Sequence, residues 1–243
     1  IERHVITDCQ IDIFQSTPSQ FQSNAHLSVY DMKYGSIVLY GEDIRDTIDI
    51  DIVRLAPSAC YFSLFRSINS LLNIFSTDYL TKPPSERNRF SMIFYCAKIY
   101  LHMGTQLSLC HNLYQCSTRA RLGRFKEEFP HYYTDLVKVA PSLPEKISFF
   151  SELTLSPDAI LKESLDPVEL WFETRQDFEI VMKYCLNKIG GIDSDDWVVI
   201  SNQLYHSLKA KYYIYFIEHW LEKKYHVRSR LITSMVNMVY QLR

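Results

Sequence analysis

The sequence predicts a mainly α protein with a small N-terminal antiparallel β element (α+β), in which a helical body extends from about residue 57 to the end. Two observations predict this class. Apolar and polar residues alternate before Ala56, whereas apolar residues recur at steps of three and four after Pro57. Helix-capping signals are also concentrated in the second part. We therefore expect residues 1–55 to form the β element, packed on an α-helical body of residues 56–243 as one structural unit.

The clearest strand pattern covers residues 46–53. Strict alternation places three isoleucines on one face and two aspartates on the other, as in a strand with one buried face. Strands this short form a stable sheet only if another element covers their apolar face. Further strands are predicted over residues 4–14, 26–34 and 36–40, with a loop over residues 16–24.

The helices of the second part are predicted mainly from their ends. Pro57 fits the first turn of a helix, where a proline needs no hydrogen-bonded N–H group. Gly190 and Gly191 are predicted to end the helix that begins near Pro167. Further helix starts are predicted at Ser85, Ser142, Ser156, Asp166 and Ser194 or Asp195. The last fifty residues are expected to form two or three helices.

The composition is that of a globular protein. Hydrophobic residues make up 47% and aromatic residues 14%, which disfavours a disordered chain. No apolar run approaches the roughly 20 residues that cross a bilayer, so we expect no membrane partner. Six cysteines are too sparse for a disulfide scaffold, which favours a reducing intracellular compartment, the nucleus or the cytoplasm. The chain begins without methionine, so we expect a fragment that lacks its targeting signals.

Charge is segregated into four blocks. Residues 1–60 hold 4 Lys/Arg against 9 Asp/Glu, and residues 61–129 hold 9 against 4. Residues 130–200 hold 6 against 13, and residues 201–243 hold 7 against 2. The formal net charge of −2 therefore hides regions of opposite sign. Such regions bear on partners and electrostatic steering rather than on fold.

No sequence motif in the chain indicates a particular chemical reaction. The six glycines do not fit the pattern of a dinucleotide-binding or a phosphate-binding loop. The sequence also lacks the Gly-x-Ser-x-Gly motif of serine hydrolases and the His-Glu-x-x-His motif of zinc proteases. We therefore predict a non-enzymatic protein without a cofactor. An enzyme whose site is assembled from distant positions remains an alternative, because such a site is invisible in one sequence.

The chain contains two groups of potential metal ligands, and neither predicts a metal site. Asp49 and Asp51 fit the solvent face of a strand better than a cation loop. Cys110 and Cys116, six residues apart, would point about 240° apart on a continuous helix. The two-residue gaps of common zinc sites are missing, so buried free thiols are expected. The same reasoning covers Cys96, His102 and His111.

The charge blocks predict a protein-interaction or scaffold module, a subunit of a complex, with one basic and one acidic binding surface. The densest basic run contains Gly123, and a loop there would let its arginines converge on an acidic segment. The basic surface is predicted to use Arg119, Arg121, Arg124 and Lys126. The acidic surface is predicted to use Asp158, Glu163, Asp166, Glu169 and Glu173. The sequence does not predict the oligomeric state.

The alternative is a nucleic-acid-binding or chromatin-associated helical domain. Cations and aromatic side chains are mixed near the C-terminus. This mixture suits nucleic-acid binding, because cations contact phosphate groups and aromatic rings stack on bases. The competing interpretation of this region is an amphipathic helix with one face in the core and a solvent-exposed basic face. The residues that would contact phosphate are Lys223, Lys224, Arg228 and Arg230.

Overall fold

The computed structural model describes residues 27–207 of the chain, except for the side chains of residues 201 and 204–207. The chain divides into two compact units, Ile1–Leu55 and Ala56–Arg243. Helices dominate the described residues, which confirms the prediction of a mainly α protein. None of the helices in residues 27–207 has the length and apolarity needed to cross a bilayer.

The predicted β element is wrong for the described part of the N-terminal unit. Residues 27–55 contain no strand; they form helix α1 (Leu27–Gly35) and a 3-10 turn (Arg45–Thr47). Within α1, the rings of Tyr30 and Tyr34 pack at 4.6 Å, one helical turn apart. Such a contact forms within the helix itself and needs no partner strand. The predicted strand over residues 4–14 lies outside the described residues.

The alternating segment over residues 46–53 is also not a strand. Its aspartate at position 51 instead caps a helix: Asp51 Oδ1 accepts a hydrogen bond of 2.9 Å from Val53 N. Helix α2 (Ile52–Asn73) therefore begins before Pro57, which lies inside it rather than in its first turn. The isoleucine alternation was a weaker signal than this capping aspartate.

In the described part of the second unit, residues 56–207, helices are joined by short connections. Three of the predicted helix ends are confirmed by their contacts. Ser85 Oγ accepts from Asn88 N at 3.3 Å, and Asp166 Oδ1 accepts from Val168 N at 2.8 Å. Gly191, with a φ of 63°, ends the helix before it. The helices are α3 (Glu86–Cys110), α4 (Thr118–Tyr132), α5 (Thr134–Val139), α6 (Leu143–Leu155), α7 (Pro167–Gly190) and α8 (Trp197–Ser207), with 3-10 turns at Thr77–Leu80 and Pro157–Lys162.

Helix α3 forms the centre of this unit and packs mainly against α6 and α7. Most of its residues between positions 92 and 109 are buried, and Ile93, Tyr100 and Met103 are fully so. Each such side chain contributes about 1.5–3 kcal/mol by leaving water. At Gly104 the helices approach closely, because a methyl group there would lie 3.0 Å from Ile147 Cγ2. Packing on α3 therefore fixes α7, which carries side chains of both sites described below.

Candidate functional site

The predicted basic surface lies on α4, which continues through Gly123 without a break. Its arginines therefore point in different directions instead of converging as a loop would allow. Arg119 is exposed, Arg124 is half-buried, and Lys126 is exposed. Lys126 Nζ lies 3.9 Å from Glu145 Oε1, a weak surface ion pair.

Arg121, the fourth member of the basic run, is buried and engaged within the protein. Its Nη1 donates to the carbonyl oxygen of Gln115 at 2.5 Å, and its Nη2 donates to Thr118 Oγ1 at 3.3 Å. Its guanidinium also lies 4.7 Å from the centre of the Tyr114 ring. Arg121 thus holds the connection between α3 and α4, and the outward cations of the run are the other three.

The predicted acidic residues cluster around the start of α7. Asp158 and Glu169 are exposed, and Glu163 is half-buried. Asp166 is the N-cap of α7, because its Oδ1 accepts from the amides of residues 168 and 169. Glu173, one turn after Glu169, is engaged with Lys146 at 2.7 Å. No hydrogen bond or ion pair to the Glu169 carboxylate occurs within residues 27–207.

A shallow groove of about 340 Å³ lies beside these carboxylates. Its walls are mainly apolar rings and aliphatic groups, and its charged members are Asp166, Glu169 and Arg89. Arg89 Nη2 donates to the carbonyl oxygens of Glu163 at 2.9 Å and Leu165 at 3.1 Å. This cation therefore ties the segment before α7 to α3. The remaining lining residues are Tyr79, Pro83, Pro84, Pro167 and Val168.

An aromatic cluster continues from the groove along α7. Phe75 stacks on Trp171 with ring centres 4.1 Å apart and meets Tyr79 edge-on at 6.3 Å. Trp171 Nε1 donates to the carbonyl oxygen of Leu71 at 2.8 Å, so the indole is fixed. Phe172 remains 42% exposed beside it. Rigid aromatic surface of this kind is enriched at protein interfaces.

A buried polar network joins α2 and α3. Ser67 Oγ lies 3.2 Å from His102 Nδ1, and Gln106 Nε2 donates to Ser63 Oγ and Ser67 Oγ, each at 3.2 Å. Burial lowers the pKa of His102 to about 4, with help from the positive charges of Arg66, Lys98 and Arg121. This pair resembles the serine nucleophile and histidine base of some enzymes. Ser67 is fully buried, however, so a substrate cannot reach its hydroxyl group.

Three thiols meet where α2, α3 and α7 converge. The Sγ atoms of Cys60, Cys110 and Cys185 all lie within 4.8 Å of one another, and Cys60 Sγ is 3.8 Å from Cys110 Sγ. Cys60 and Cys185 are fully buried, and Cys110 is partly exposed at the end of α3. All three are free thiols. The cluster opens toward the surface only at Cys110.

The thiols polarise one another. Hydrogen bonds from the Cys185 and then the Cys60 thiol stabilise a thiolate at Cys110, and these contacts lower the pKa of Cys110 despite its burial. The nearby positive charge of Lys188 acts in the same direction. Burial, followed by the contact with Cys110, raises the pKa of Cys185. Cys110 is therefore the thiol that ionises first.

Sequence reasoning missed this cluster. It tested Cys110 against nearby cysteines and histidines, whereas the structure joins it to residues 50 positions before and 75 positions after it. Cys96 lies elsewhere in α3, where it is fully buried, and Cys116 lies in the connection before α4. His111 Nε2 is 2.7 Å from Tyr184 Oη and is not part of the thiol group. Only the packing of three helices reveals the set.

The residues of the nucleic-acid alternative, Lys223, Lys224, Arg228 and Arg230, lie outside the described residues. Comparison of the chain with models of protein families, with curated proteins and with solved structures finds no match in any of the three. The arrangement of side chains is therefore the basis for the proposals that follow.

Proposed function

We propose that the chain is a non-enzymatic intracellular interaction module, of the nucleus or the cytoplasm, and that the groove at the start of α7 binds a basic segment of a partner protein. The observation that carries this proposal is the combination of an apolar groove with the exposed carboxylates of Asp166 and Glu169. Apolar walls supply buried contact area, and the carboxylates select the sign of the ligand.

Charge favours a basic partner over an acidic one. Arg89 brings one positive charge to the groove, but backbone carbonyl oxygens already accept from its guanidinium. The Glu169 carboxylate makes no such contact within the described residues. On the preceding segment, Asp158 and Glu163 outnumber the one cation, Lys162. A lysine or arginine of the ligand therefore finds unneutralised carboxylates beside an apolar wall.

An apolar anchor in the ligand completes the fit. Tyr79, Pro83 and Val168 offer rigid surface that loses little side-chain entropy when covered, because proline and packed aromatic groups are already ordered. We therefore expect the bound segment to place one leucine, methionine or aromatic side chain among flanking lysines or arginines. Arg119 and Lys126, seven residues apart, lie on one face of α4 and offer a second, basic surface that suits an acidic segment.

The experiment measures binding of a panel of fluorescent peptides, each with one apolar residue flanked by two basic residues on either side. Glu169→Lys should weaken the best peptide roughly tenfold at about 50 mM salt, and by less at about 300 mM, because salt screens exposed charges. Glu127→Lys is the matched control, since it makes the same charge reversal on the exposed surface of α4.

The proposal fails if no peptide binds better than its acidic counterpart. It fails equally if Glu127→Lys and Glu169→Lys weaken binding to the same extent, because that result would reflect net charge rather than the groove. Glu127→Lys changes an exposed side chain in the middle of α4 and should unfold at the wild-type denaturant concentration. Glu169→Lys places a positive charge in the first turn of α7 and should cost about 1 kcal/mol or less, so binding is compared under denaturant-free conditions where both variants are folded.

A further inference from the structure

We propose that Cys60, Cys110 and Cys185 together bind one thiophilic d¹⁰ metal ion, Zn²⁺ or Cu⁺, at the junction of α2, α3 and α7. This inference rests on the three-thiol cluster alone and is independent of the groove. Soft thiolate sulfur is the ligand that these two ions prefer over carboxylate or amide oxygen.

The spacing of the sulfurs fits a single ion. A metal–sulfur bond of about 2.3 Å places two sulfurs about 3.8 Å apart in a tetrahedral site and about 4 Å apart in a planar three-coordinate site. Cys60 Sγ and Cys110 Sγ are 3.8 Å apart, and the third sulfur lies within 4.8 Å of both. A side-chain rotation that moves the Cys185 sulfur by about 1 Å or less closes the set around a common centre.

The surroundings favour a bound ion over three packed thiols. Each sulfur comes from a different long helix, so the ligands are held by rigid elements. Each sulfur would bind as a thiolate, and any proton that it carries would leave to solvent. Three buried thiolates repel one another, and the positive ion would offset this cost; Lys188 lies close enough to stabilise the residual negative charge.

The number of ligands distinguishes the two ions. Cu⁺ is satisfied by three sulfurs in a plane, whereas Zn²⁺ takes a fourth ligand. Within the described residues neither ring nitrogen of His111, next to Cys110, lies close to all three sulfurs, and its Nε2 instead contacts Tyr184 Oη. The fourth position of a zinc ion would therefore go to a water molecule entering beside Cys110, the partly exposed member.

The experiment loads the reduced full chain with either Zn²⁺ or Cu⁺ without oxygen and measures affinity by competition with a chromogenic chelator. We expect one tightly held ion per chain. X-ray absorption then counts ligands in the wild-type protein, with three sulfurs at about 2.3 Å expected, and one additional oxygen in the zinc form only. This measurement needs no variant and so does not depend on the folding of a mutant.

Removal of any one ligand should lower the affinity for the preferred ion at least about 100-fold. The variants that test this are Cys60→Ser, Cys110→Ser and Cys185→Ser. Cys96→Ser is the matched control: it changes a thiol of α3 that is as buried as Cys60 and Cys185 but lies outside the cluster, and it should keep the wild-type affinity. Circular dichroism checks that each variant remains helical.

Three results would overturn the proposal. The first is a wild-type chain that yields both ions completely to a weak chelator. The second is an absorption spectrum with fewer than three sulfur ligands. The third is a Cys96→Ser variant that loses the ion as fully as the cluster variants do. Failure here would leave peptide binding at the groove unchanged, and failure of the groove would leave metal binding unchanged.

Discussion

Asp177 shows how much of the stability depends on a few buried polar side chains. It is only 8% exposed, and its Oδ2 accepts hydrogen bonds from Tyr100 Oη at 2.7 Å and Lys146 Nζ at 2.8 Å. Tyr100 is itself fully buried on α3. A carboxylate that is removed from water in this way is stable only because both donors are in place.

Asp177→Ala should therefore destabilise the protein by about 3 kcal/mol, because it leaves the Tyr100 hydroxyl buried without its acceptor and removes one partner of Lys146. The measurement is denaturant unfolding followed by circular dichroism. Asp135→Ala removes the exposed 3.5 Å pair with Lys138 and should cost less than about 0.5 kcal/mol. If the two variants lose the same free energy of unfolding, the buried contacts of Asp177 contribute no more to stability than an exposed ion pair does.

The lowered pKa of His102 makes stability depend on pH. The folded protein holds this ring neutral down to about pH 4, whereas the unfolded chain binds the proton near pH 6.5. Stability from this group is complete above pH 6.5 and is lost as the pH falls toward 4. Lowering the pH from 7 to 5 should remove about 2 kcal/mol through this residue.

His102→Asn tests this prediction, since asparagine can still hydrogen bond to Ser67 but does not titrate. The free energy of unfolding of the variant should fall less steeply between pH 7 and pH 5 than that of the wild type, whatever its absolute value. His131→Asn, which changes an exposed histidine of α4, serves as the control. Parallel pH curves for the wild type and His102→Asn would refute the assignment.

The helices were predictable where local signals set their ends, and the strands were not. Ser85, Asp166 and Gly191 act within a few residues of themselves, so capping and φ preference could be read from the sequence. Alternation over residues 46–53 had two explanations, and the capping role of Asp51 prevailed. A strand also needs a partner strand, which a local pattern cannot supply.

The two glycines inside helices should respond in opposite ways to alanine. At Gly123, on exposed α4, a methyl group would have no neighbour within 4 Å, so Gly123→Ala should stabilise by about 0.5–1 kcal/mol through helix propensity. At Gly104 the methyl group would press on Ile147, and Gly104→Ala should destabilise by about 1 kcal/mol. Thermal unfolding of both variants decides the matter; a Gly104→Ala variant as stabilised as Gly123→Ala would contradict the close packing of α3 on α6.

Charge segregation along the chain is only partly expressed at the surface of the second unit. Arg121 is buried, and Lys146 lies among the acidic residues and pairs with two of them. The pair Lys126–Glu145 also joins the basic run to the acidic block. Composition thus indicated that the start of α7 is acidic, but the groove beside it depends on residues 79–89, which only the fold brings there. The thiol cluster was unpredictable for the same reason, since its members belong to three helices.

Nuclear magnetic resonance mapping of the tightest basic peptide on the 243-residue chain tests the proposed interaction most directly. We expect the largest amide shift changes at Tyr79, Val168 and Glu169, saturating with the same affinity that fluorescence gives, and little change along α4. Shifts concentrated at Arg119 and Arg124, or spread evenly over the acidic surface without saturation, would contradict specific binding of a basic segment in the groove.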